Sequence, residues 1–410
     1  KYQYLDKKER AFITRVSEGT IQSMIELDYI IDQFSKVKVK KMKPVIRNIL
    51  RMSVYQLKYM DSVPASAACN EAVKLARKKG FSSLSGFVNG VLRNIARNLE
   101  QIAYPDMEKQ KLEYLSVKYS MPQWIIGQWI SDYGQEQTEE MLKAFATEAP
   151  LTIRTNLLKT TPQELKERLN REGVTAEKIN CMECPGLDYG FFISGFDYLN
   201  GLSSFREGLF YVQDISSMMV AELAEPKEDD YIIDVCAAPG GKSTHLAEKL
   251  KNTGMVEARD LTEYKVSLIE ENISRHQLGN MKAVQMDATV LDEASVGKAD
   301  IVIADLPCSG LGVMRKKTDI RYRMTKESEQ ELASLQRQML DTVCQYVKAG
   351  GKLIYSTCPI DKMENEENVT WFLKKHPEYV LEEMHQIFPQ AQYGDGFFIA
   401  RMRKKATDGR

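Results

Sequence analysis

The stretch Tyr231-Ile-Ile-Asp-Val-Cys-Ala-Ala-Pro-Gly-Gly-Lys242 decides the fold. Its first five residues form a short apolar run with the length and composition of a buried β-strand. The small residues that follow leave room for a ligand against bare backbone, and segment 242–250 has the apolar spacing of a helix. A strand, a small-residue turn and a helix start predict a nucleotide-type site at the carboxyl edge of a parallel sheet.

This turn does not match two common nucleotide-binding motifs. A P-loop requires a glycine five residues before the Gly-Lys pair, and Cys236 occupies that position. The dinucleotide fingerprint Gly-x-Gly-x-x-Gly is absent as well. An ATPase is therefore disfavoured, and a loop that binds S-adenosylmethionine (SAM) remains as the interpretation.

Strands and helices alternate regularly from residue 231 onward. Strands are predicted at 231–235, 255–258, 282–285, 301–304, 352–355 and 396–401, and helices near 242–250, 263–278, 328–348 and 364–375. This alternation is typical of an α/β fold with a parallel sheet covered on both faces. We therefore expect a Rossmann-like α/β domain over residues 226–405.

The amino-terminal quarter has a different character. Residues 1–103 show helical periodicity and no strand signal, which predicts an all-α bundle. Residues 1–100 carry 19 Lys/Arg against 9 Asp/Glu, whereas the remainder carries 37 against 48. A basic domain joined to an acidic one suggests that the basic domain holds a polyanion. The candidates for phosphate contact are Lys38, Lys40, Lys41 and Lys43, with a solvated surface as the alternative.

Two shorter segments join these parts. Residues 104–148 are predicted to form a helical linker, in which Trp124, Ile125 and Trp129 pack in the core. Residues 149–225 are predicted to form a small α/β module, with strands at 151–155, 176–179 and 191–193.

The overall composition is that of an ordinary globular protein. No run of 18 apolar residues and no signal-peptide pattern occurs, so we expect a cytoplasmic protein, and a monomer. Seven scattered cysteines favour reduced thiols over a disulfide framework. Cys181 and Cys184 form a lone CxxC pair, which we interpret as two loop thiols and not as a metal site. Because the chain opens on Lys1, we expect the natural chain to begin further upstream.

Several phrases resemble one known family. Asp234-x-Cys-Ala-Ala-Pro-Gly-Gly-Lys242 resembles motif I of the RNA cytosine-5 methyltransferases (the NOL1/NOP2/sun family). Segments 64–74 and 86–93 look like the NusB-type helical domain that stands at the amino end in one branch of that family. The order of domains and motifs is similar to the 16S ribosomal RNA cytosine-5 methyltransferases of the RsmB (Sun/Fmu) type.

This resemblance implies that SAM is the cofactor and that the loop after the first strand holds it. The loop residues are Cys236, Ala237, Ala238, Pro239, Gly240, Gly241 and Lys242. Asp260, Asp287 and Asp305 follow the next three strands, at the carboxyl ends where ligands bind in such sheets. Asp260 is expected to accept hydrogen bonds from the ribose hydroxyls and Asp287 to lie on the adenine side. We expect Arg259, directly before Asp260, to face away from the ligand.

The chemistry is expected from two cysteines. Cys308 follows the fourth strand in Asp305-Leu-Pro-Cys, and Cys358 follows the fifth in Ser-Thr-Cys-Pro. A thiolate that adds to carbon 6 of cytosine lets carbon 5 attack a methyl group, and a base must then remove the proton from carbon 5. The resemblance implies that Cys358 is the nucleophile and that Cys308 helps elimination, with Asp305 contacting the ring and Lys242 orienting the reactants. Pro359 departs from the Ser or Thr that the family pattern has after Thr-Cys.

RNA is the expected partner, and further contact candidates follow. Arg315, Lys316 and Arg321 lie on a basic loop beyond Cys308. Arg154, Arg206 and Gln213 lie in the small module, which helps to grip RNA in the family. Two alternatives stay open: the same chemistry on transfer RNA, or a ribosome assembly factor that binds RNA without turnover.

Overall fold

The computed structural model describes residues 4–148, 150–180, 186–391 and 394–406. The chain divides into two compact units, Lys1–Ala146 and Thr147–Arg410. The Cys181–Cys184 pair lies outside the described residues. No helix among the described residues combines the length and apolar composition that a membrane crossing requires. Our four domain boundaries (1–103, 104–148, 149–225 and 226–405) stay predictions.

The first unit is all-α in its described residues. Its helices are α1 (Lys7–Gln22), α2 (Met24–Phe34), α3 (Pro44–Tyr59), α4 (Ala65–Lys78), α5 (Ser85–Arg97), α6 (Lys111–Tyr119), α7 (Gln123–Tyr133) and α8 (Gln135–Phe145). Apolar residues at helical spacing, such as Leu27, Leu50 and Leu92, are fully buried in one core. Ile125 and Trp129 are buried too, which confirms their predicted packing role, while Trp124 is only half-buried.

The second unit opens with a small antiparallel sheet. Its elements are β1 (Leu151–Thr155), α9 (Pro162–Arg171), β2 (Thr175–Lys178), β3 (Gly190–Ser194), α10 (Ser203–Arg206), β4 (Phe210–Val212) and α11 (Ile215–Ala224). The strand order is β2-β3-β1-β4. Helix α9 begins at a capping box in which Thr161 and Glu164 satisfy each other's backbone amides. The three predicted strands are present, and β4 was not predicted because its three residues are too short for a periodic signal.

A larger sheet follows. Its elements are β5 (Tyr231–Asp234), α12 (Gly241–Lys249), β6 (Met255–Asp260), α13 (Glu263–His276), β7 (Met281–Gln285), β8 (Ala299–Asp305), α14 (Ile320–Arg323), α15 (Lys326–Val343), β9 (Val347–Thr357), α16 (Glu366–Lys375), β10 (Tyr379–Ile387) and β11 (Phe397–Lys404). The order is β10-β11-β9-β8-β5-β6-β7. Strands β5 to β9 are parallel, and β11 is antiparallel to both of its neighbours. The predicted α/β class is confirmed.

Two parts of this sheet differ from the prediction. Strand β10 was missed, because it is an edge strand whose Glu382, Glu383 and His385 face solvent and leave no clear apolar alternation. Helix α15 ends at Val343 and not at 348, since the chain passes through a 3₁₀ turn into β9. Both errors concern element boundaries and edges.

The sheet has one position where the course of the chain reverses. From β5 the chain runs outward to β6 and β7, then returns to the other side of β5 with β8 and β9. The carboxyl ends of β5 and β8 therefore border an open crevice between diverging connections, where ligands bind in such folds. Asp234 ends β5 and Asp305 ends β8, so the predicted site residues fall at this edge.

Candidate active site

The loop after β5 forms one wall of a cleft. Its backbone is held by the next strand, since the Ala237 amide donates to the carbonyl of Arg259 over 2.8 Å and the Ala238 amide donates to Asp260 Oδ2 over 3.0 Å. Gly240 has φ of 104°, a conformation that side chains with a Cβ rarely adopt. The cleft is lined by Val212, Gln213, Asp214, Ser217, Asp234, Cys236, Ala237, Ala238, Pro239, Gly241, Lys242 and Asp305.

The cleft therefore includes most of the predicted loop residues. It also includes a group that the sequence did not predict for cofactor binding, the segment from Val212 to Ser217 at the end of β4 and the start of α11. The small module thus contributes a wall to the same cleft. The sequence could not predict this wall, because no pattern in residues 212–217 indicates which part of the chain they face.

Asp234 lies at the bottom of the cleft and is fully buried. Ser243 Oγ, in the first turn of α12, donates to Asp234 Oδ2 over 2.5 Å. Burial raises the pKa of Asp234 to about 7. This carboxyl group therefore ties β5 to the start of α12 and shapes the loop between them.

Asp260 is the last residue of β6 and is almost fully buried. Its carboxylate accepts from the amides of Ala238 and Leu261 and from Lys265 Nζ, the last over 2.9 Å. The side chain of Lys265 is half exposed. Lys265 therefore competes with a ribose hydroxyl for Asp260 Oδ1. The predicted ribose contact stays a prediction, and the structure adds that Asp260 holds the loop after β5.

Arg259 was the residue for which the sequence offered no role. It is buried, and its guanidinium pairs with Glu257 and with Asp292, the latter over 3.1 Å, and donates to Ser295 Oγ over 2.6 Å. Arg259 does face away from the loop after β5. It binds β6 to the segment before β8 and thereby supports the strand that ends at Asp260.

Asp287 lies two residues beyond β7. Its Oδ1 accepts from the amide of Thr289 over 2.8 Å and from its hydroxyl over 2.7 Å. These hydrogen bonds lower the pKa of Asp287, so the group is a carboxylate at neutral pH. The adenine-side role of Asp287 remains a prediction.

Lys242 and Asp305 meet across the cleft. Lys242 Nζ donates to Asp305 Oδ2 over 2.6 Å, and Ser356 Oγ donates to Asp305 Oδ1 over 2.7 Å. Burial opposes the charge on Lys242, but Asp305 and then Cys358 raise its pKa above the usual value. The structure therefore brings the predicted orienting lysine and the predicted ring contact together, and it adds Ser356, which the sequence analysis missed.

The two predicted reactive cysteines are neighbours. The amide of Cys358 donates to Cys308 Sγ over 3.3 Å, although the residues are 50 positions apart. The hydrogen bond with Cys358, and then burial, raise the pKa of the Cys308 thiol well above its usual range. Cys236 is half-buried in the wall of the cleft, and burial raises the pKa of its thiol. Cys344 packs in the apolar core below the sheet.

A backbone junction holds the two cysteine loops against each other. The amide of Gly312, in the loop after Cys308, donates to the carbonyl of Cys358 over 2.9 Å. The amide of Gly396, just before β11, donates to the carbonyl of Gly312 over 2.8 Å. A Cβ on Gly312 would fall 2.5 Å from the carbonyl oxygen of Gly396, so the junction leaves no space for a side chain.

Several predicted RNA contacts lie elsewhere than the sequence suggested. Arg315 is buried and pairs with Asp395 over 3.0 Å, and Arg321 is buried as well. Lys316 remains partly exposed and pairs with Asp214 over 2.9 Å. The prediction that Arg315 and Arg321 face RNA phosphates is therefore wrong for this structure, because their guanidinium groups are enclosed by protein.

The candidates in the small module divide in the same way. Arg154 is fully buried between Glu248 and Gln213, and the two latter side chains are nearly buried too. The prediction that Arg154 and Gln213 contact RNA is therefore wrong for this structure. Both residues belong to an internal polar network. Arg206 binds the carbonyls of Asn200 and Gly201 on the surface. In the first unit, the four lysines that were predicted to contact phosphate are all exposed, namely Lys38, Lys40, Lys41 and Lys43.

Comparisons with known proteins agree with this architecture. Residues 221–403 match the family model described as 16S rRNA methyltransferase RsmB/F, residues 1–97 match the NusB family, and residues 121–185 match an RsmF/B-like ferredoxin-like domain. The chain is 36% identical to the probable ribosomal RNA small subunit methyltransferase B of Bacillus subtilis (strain 168), over 98% of this chain and 92% of that protein.

Solved structures show the same fold. The crystal structure of PH0851 superimposes with a TM-score of 0.82 at 27% identity and covers 96% of this chain and 90% of its own. The structure of NSun6 from Pyrococcus horikoshii with SFG superimposes with a TM-score of 0.62 at 26% identity, over 70% of this chain and 99% of its own. The first of these likenesses extends over nearly the full chain.

Proposed function

The chain belongs to the ribosomal RNA small subunit methyltransferase B family, and from this premise we propose that it methylates carbon 5 of a cytosine in 16S ribosomal RNA. SAM is the methyl donor, and Cys358 forms a covalent bond to carbon 6 of the target base. One observation carries this proposal: Cys308 and Cys358 meet at the sheet edge where Lys242 and Asp305 line the cleft.

The cleft fits SAM. The loop from Cys236 to Gly241 forms one wall, where small side chains leave the backbone accessible and Gly241 has open space at its Cβ position. Asp260 at the end of β6 and Asp287 beyond β7 supply carboxylates for the ribose and the adenine. When bound, SAM supplies an electrophilic methyl group on a sulfonium. Lys242 and Asp305 then lie between this loop and the cysteines.

The reaction begins at Cys358. Its thiolate adds to carbon 6, and the electron pair of the 5,6 double bond moves to carbon 5. Carbon 5 takes the methyl group, and the pair of the broken sulfur–methyl bond stays on the donor sulfur. Asp305, fixed by Lys242 and Ser356, is placed to contact the ring. A base then removes the proton from carbon 5, and the bond between carbon 6 and Cys358 breaks.

The environment of the two thiols supports Cys358 as the nucleophile. Contact with Cys358 and burial keep Cys308 protonated, since both raise its pKa. Cys358 in contrast interacts with the ammonium of Lys242. Cys308 therefore acts in the second half of the reaction, when the thiolate of Cys358 must leave.

The test is methyl transfer from labelled SAM to naked small-subunit RNA and to bulk transfer RNA. Wild type should label carbon 5 of a cytosine in ribosomal RNA, and Cys358→Ala should abolish the label. Cys308→Ala should accumulate a covalent protein–RNA adduct, because addition proceeds and elimination stalls. Cys69→Ala is the matched control, since Cys69 is buried in the apolar core of the first unit.

The remaining outcomes contradict parts of the proposal. Label that survives Cys358→Ala but is lost with Cys308→Ala would reverse the roles of the cysteines. Label on transfer RNA alone would change the substrate. SAM binding without transfer to either RNA would favour the assembly-factor alternative.

A further inference from the structure

Two buried polar residues precede α16. Glu364 and Asn365 stand just before the helix starts at Glu366, and both have 0% exposure. Acidic residues are favoured at the amino ends of helices, which is the ordinary explanation for an acid at this place. Glu364 has a different role, because its side chain contacts the loop of Cys308.

Glu364 is hydrogen-bonded to both neighbours of Cys308, directly to Ser309 and through Gln336 to Pro307. Its Oε2 accepts from the amide of Ser309 over 3.0 Å and from Gln336 Nε2 over 2.7 Å. The same Gln336 Nε2 donates to the carbonyl of Pro307 over 2.9 Å. Gln336 is itself fixed, since Tyr355 Oη donates to its Oε1 over 3.1 Å. The backbone on either side of Cys308 is therefore tied to one carboxylate.

Asn365 does the same for Cys358. Its Oδ1 accepts from the hydroxyl of Thr357 over 2.6 Å, and its Nδ2 donates to the carbonyl of Pro359 over 3.1 Å. Nδ2 also donates to Gln386 Oε1 over 2.7 Å, which fixes the amide orientation. The two residues that flank Cys358 are thus tied to one amide group.

We propose that Glu364 and Asn365 are positioning residues that set the separation of the two reactive thiols. This inference rests on the proposed function. The two residues are adjacent in the chain. One short segment is therefore hydrogen-bonded to both cysteine loops. Glu364 places Cys308 for elimination, and Asn365 places Cys358 for addition. A displacement of about 1 Å at a reacting group can lower the rate about a hundredfold. A segment that fixes the positions of both cysteine loops therefore supports the reaction.

The proposal predicts that the two residues affect different steps. Glu364→Gln replaces the carboxylate by an amide, whose single oxygen is a weaker acceptor for the amide of Ser309 and for Gln336 Nε2, so the position of Cys308 is less well fixed. It should slow product release by about tenfold to a hundredfold and accumulate the covalent protein–RNA adduct on denaturing gels.

Asn365→Asp keeps the acceptor for Thr357 and loses the donor to Pro359. It should slow adduct formation by a similar factor without accumulation. Glu367→Gln, an exposed acid in the first turn of α16, is the matched control and should leave both steps unchanged.

A second variant guards against misfolding at Glu364. The carboxylate oxygens of Glu329, Asp361 and Glu364 lie within 4.8 Å of one another, so Glu364→Gln also changes a buried acidic cluster. Gln336→Met keeps the side-chain length and leaves the three acids in place, while it removes the donor that reaches Pro307 and Glu364 together with the acceptor for Tyr355 and Asn368. It should reproduce the adduct accumulation of Glu364→Gln.

Thiol reactivity gives a readout that needs no RNA. Alkylation by iodoacetamide, followed by mass spectrometry, should show a changed rate at Cys308 in Glu364→Gln and at Cys358 in Asn365→Asp, with Cys69 as the internal reference. The proposal is overturned if both variants slow both steps equally, or if neither alkylation rate changes. If the wild type yields no 5-methylcytosine, the proposed function fails, while the alkylation rates still decide whether the two residues position the thiols.

Discussion

At the scale of single residues, the site depends on charges that are taken out of water. Three charged or ionisable residues, Asp234, Lys242 and Asp305, line the cleft. Lys242 and Asp305 pair with each other, and Asp234 accepts a hydrogen bond from Ser243. Ionising a buried carboxyl group is costly unless a cation compensates it. Lys242 compensates Asp305 directly, whereas a hydroxyl serves Asp234, which explains why burial raises the pKa of Asp234.

This difference predicts a pH-dependent stability. The pKa of Asp234 is about 7 in the folded protein, and an unfolded Asp has a pKa of about 3.9. Between these pH values the folded state keeps a proton that the unfolded state has released. The free energy of unfolding therefore falls as the pH rises from about 4 through 7. Asp234→Asn cannot ionise and should therefore gain in melting temperature relative to wild type as the pH rises.

The measurement is thermal unfolding of both proteins from pH 5 to pH 8. The free-energy difference should grow by an amount on the order of 1–3 kcal/mol over this range. Asp287→Asn is the control, because hydrogen bonds from Thr289 lower the pKa of Asp287, so this group stays ionised from pH 5 to pH 8 and the difference from wild type should not change with pH. A constant difference between Asp234→Asn and wild type at every pH would contradict the assignment.

At the scale of elements, the site is a junction of three segments. The loop after β8 carries Cys308, the loop after β9 carries Cys358, and the start of β11 closes against both through Gly312 and Gly396. The backbones approach too closely for a side chain at Gly312. Antiparallel β11 thus has a local function as well as its place in the sheet.

Gly312→Ala should damage stability and catalysis together. The added methyl group would meet backbone carbonyl oxygens that cannot rotate away, at a cost of about 3 kcal/mol. Separation of the two loops should also lower kcat by about a hundredfold, because Cys308 and Cys358 no longer meet. Urea unfolding and single-turnover methylation are the measurements.

Gly279→Ala provides the comparison for this substitution. Gly279 lies in the same unit, and its Cβ position is open. It should change the free energy of unfolding by less than about 1 kcal/mol. Equal effects of the two substitutions would mean that the junction does not constrain the loops.

At the scale of the whole molecule, charge is divided between the two units. The basic excess lies within residues 1–100 and the acidic excess in the remainder. The first unit exposes Lys38, Lys40, Lys41 and Lys43 around one short 3₁₀ turn, and Lys38 Nζ also binds the carbonyl of Asp32 over 3.0 Å. Exposed lysines on one short turn suit phosphate contact, and this interpretation can be tested.

Replacing these four lysines by glutamine should weaken binding to small-subunit RNA and lower its salt dependence. Each lost phosphate contact reduces the slope of log K against log salt by about 0.7, so the four together should reduce it by about 3. SAM binding, measured by calorimetry, should not change. The control replaces four exposed lysines of the second unit, Lys178, Lys251, Lys298 and Lys326. A slope that is unaltered, or altered equally by the control, would show that the turn is a solvated surface.

The sequence by itself determined the fold class, the order of elements and the loops that carry the candidate chemistry. It could do so because these depend on local signals: apolar periodicity, small residues after β5, and polar residues where parallel strands end. The strands from β5 to β9 were predicted with small errors at their ends. The short strand β4 and the polar edge strand β10 were missed, since their sequences lack a strong periodic signal.

Only the tertiary structure decided which charged side chains are available to a ligand. Arg154 and Glu248 pair although they are 94 residues apart, and Arg315 pairs with Asp395 over a gap of 80 residues. A basic residue in a loop looks the same in the sequence whether its partner is a phosphate or a buried carboxylate. Glu364 and Asn365 likewise resemble an ordinary helix start until the chain returns Cys308 and Cys358 to the same place. Long-range pairing decides these roles, and it follows from the packing of the whole unit and not from any local pattern.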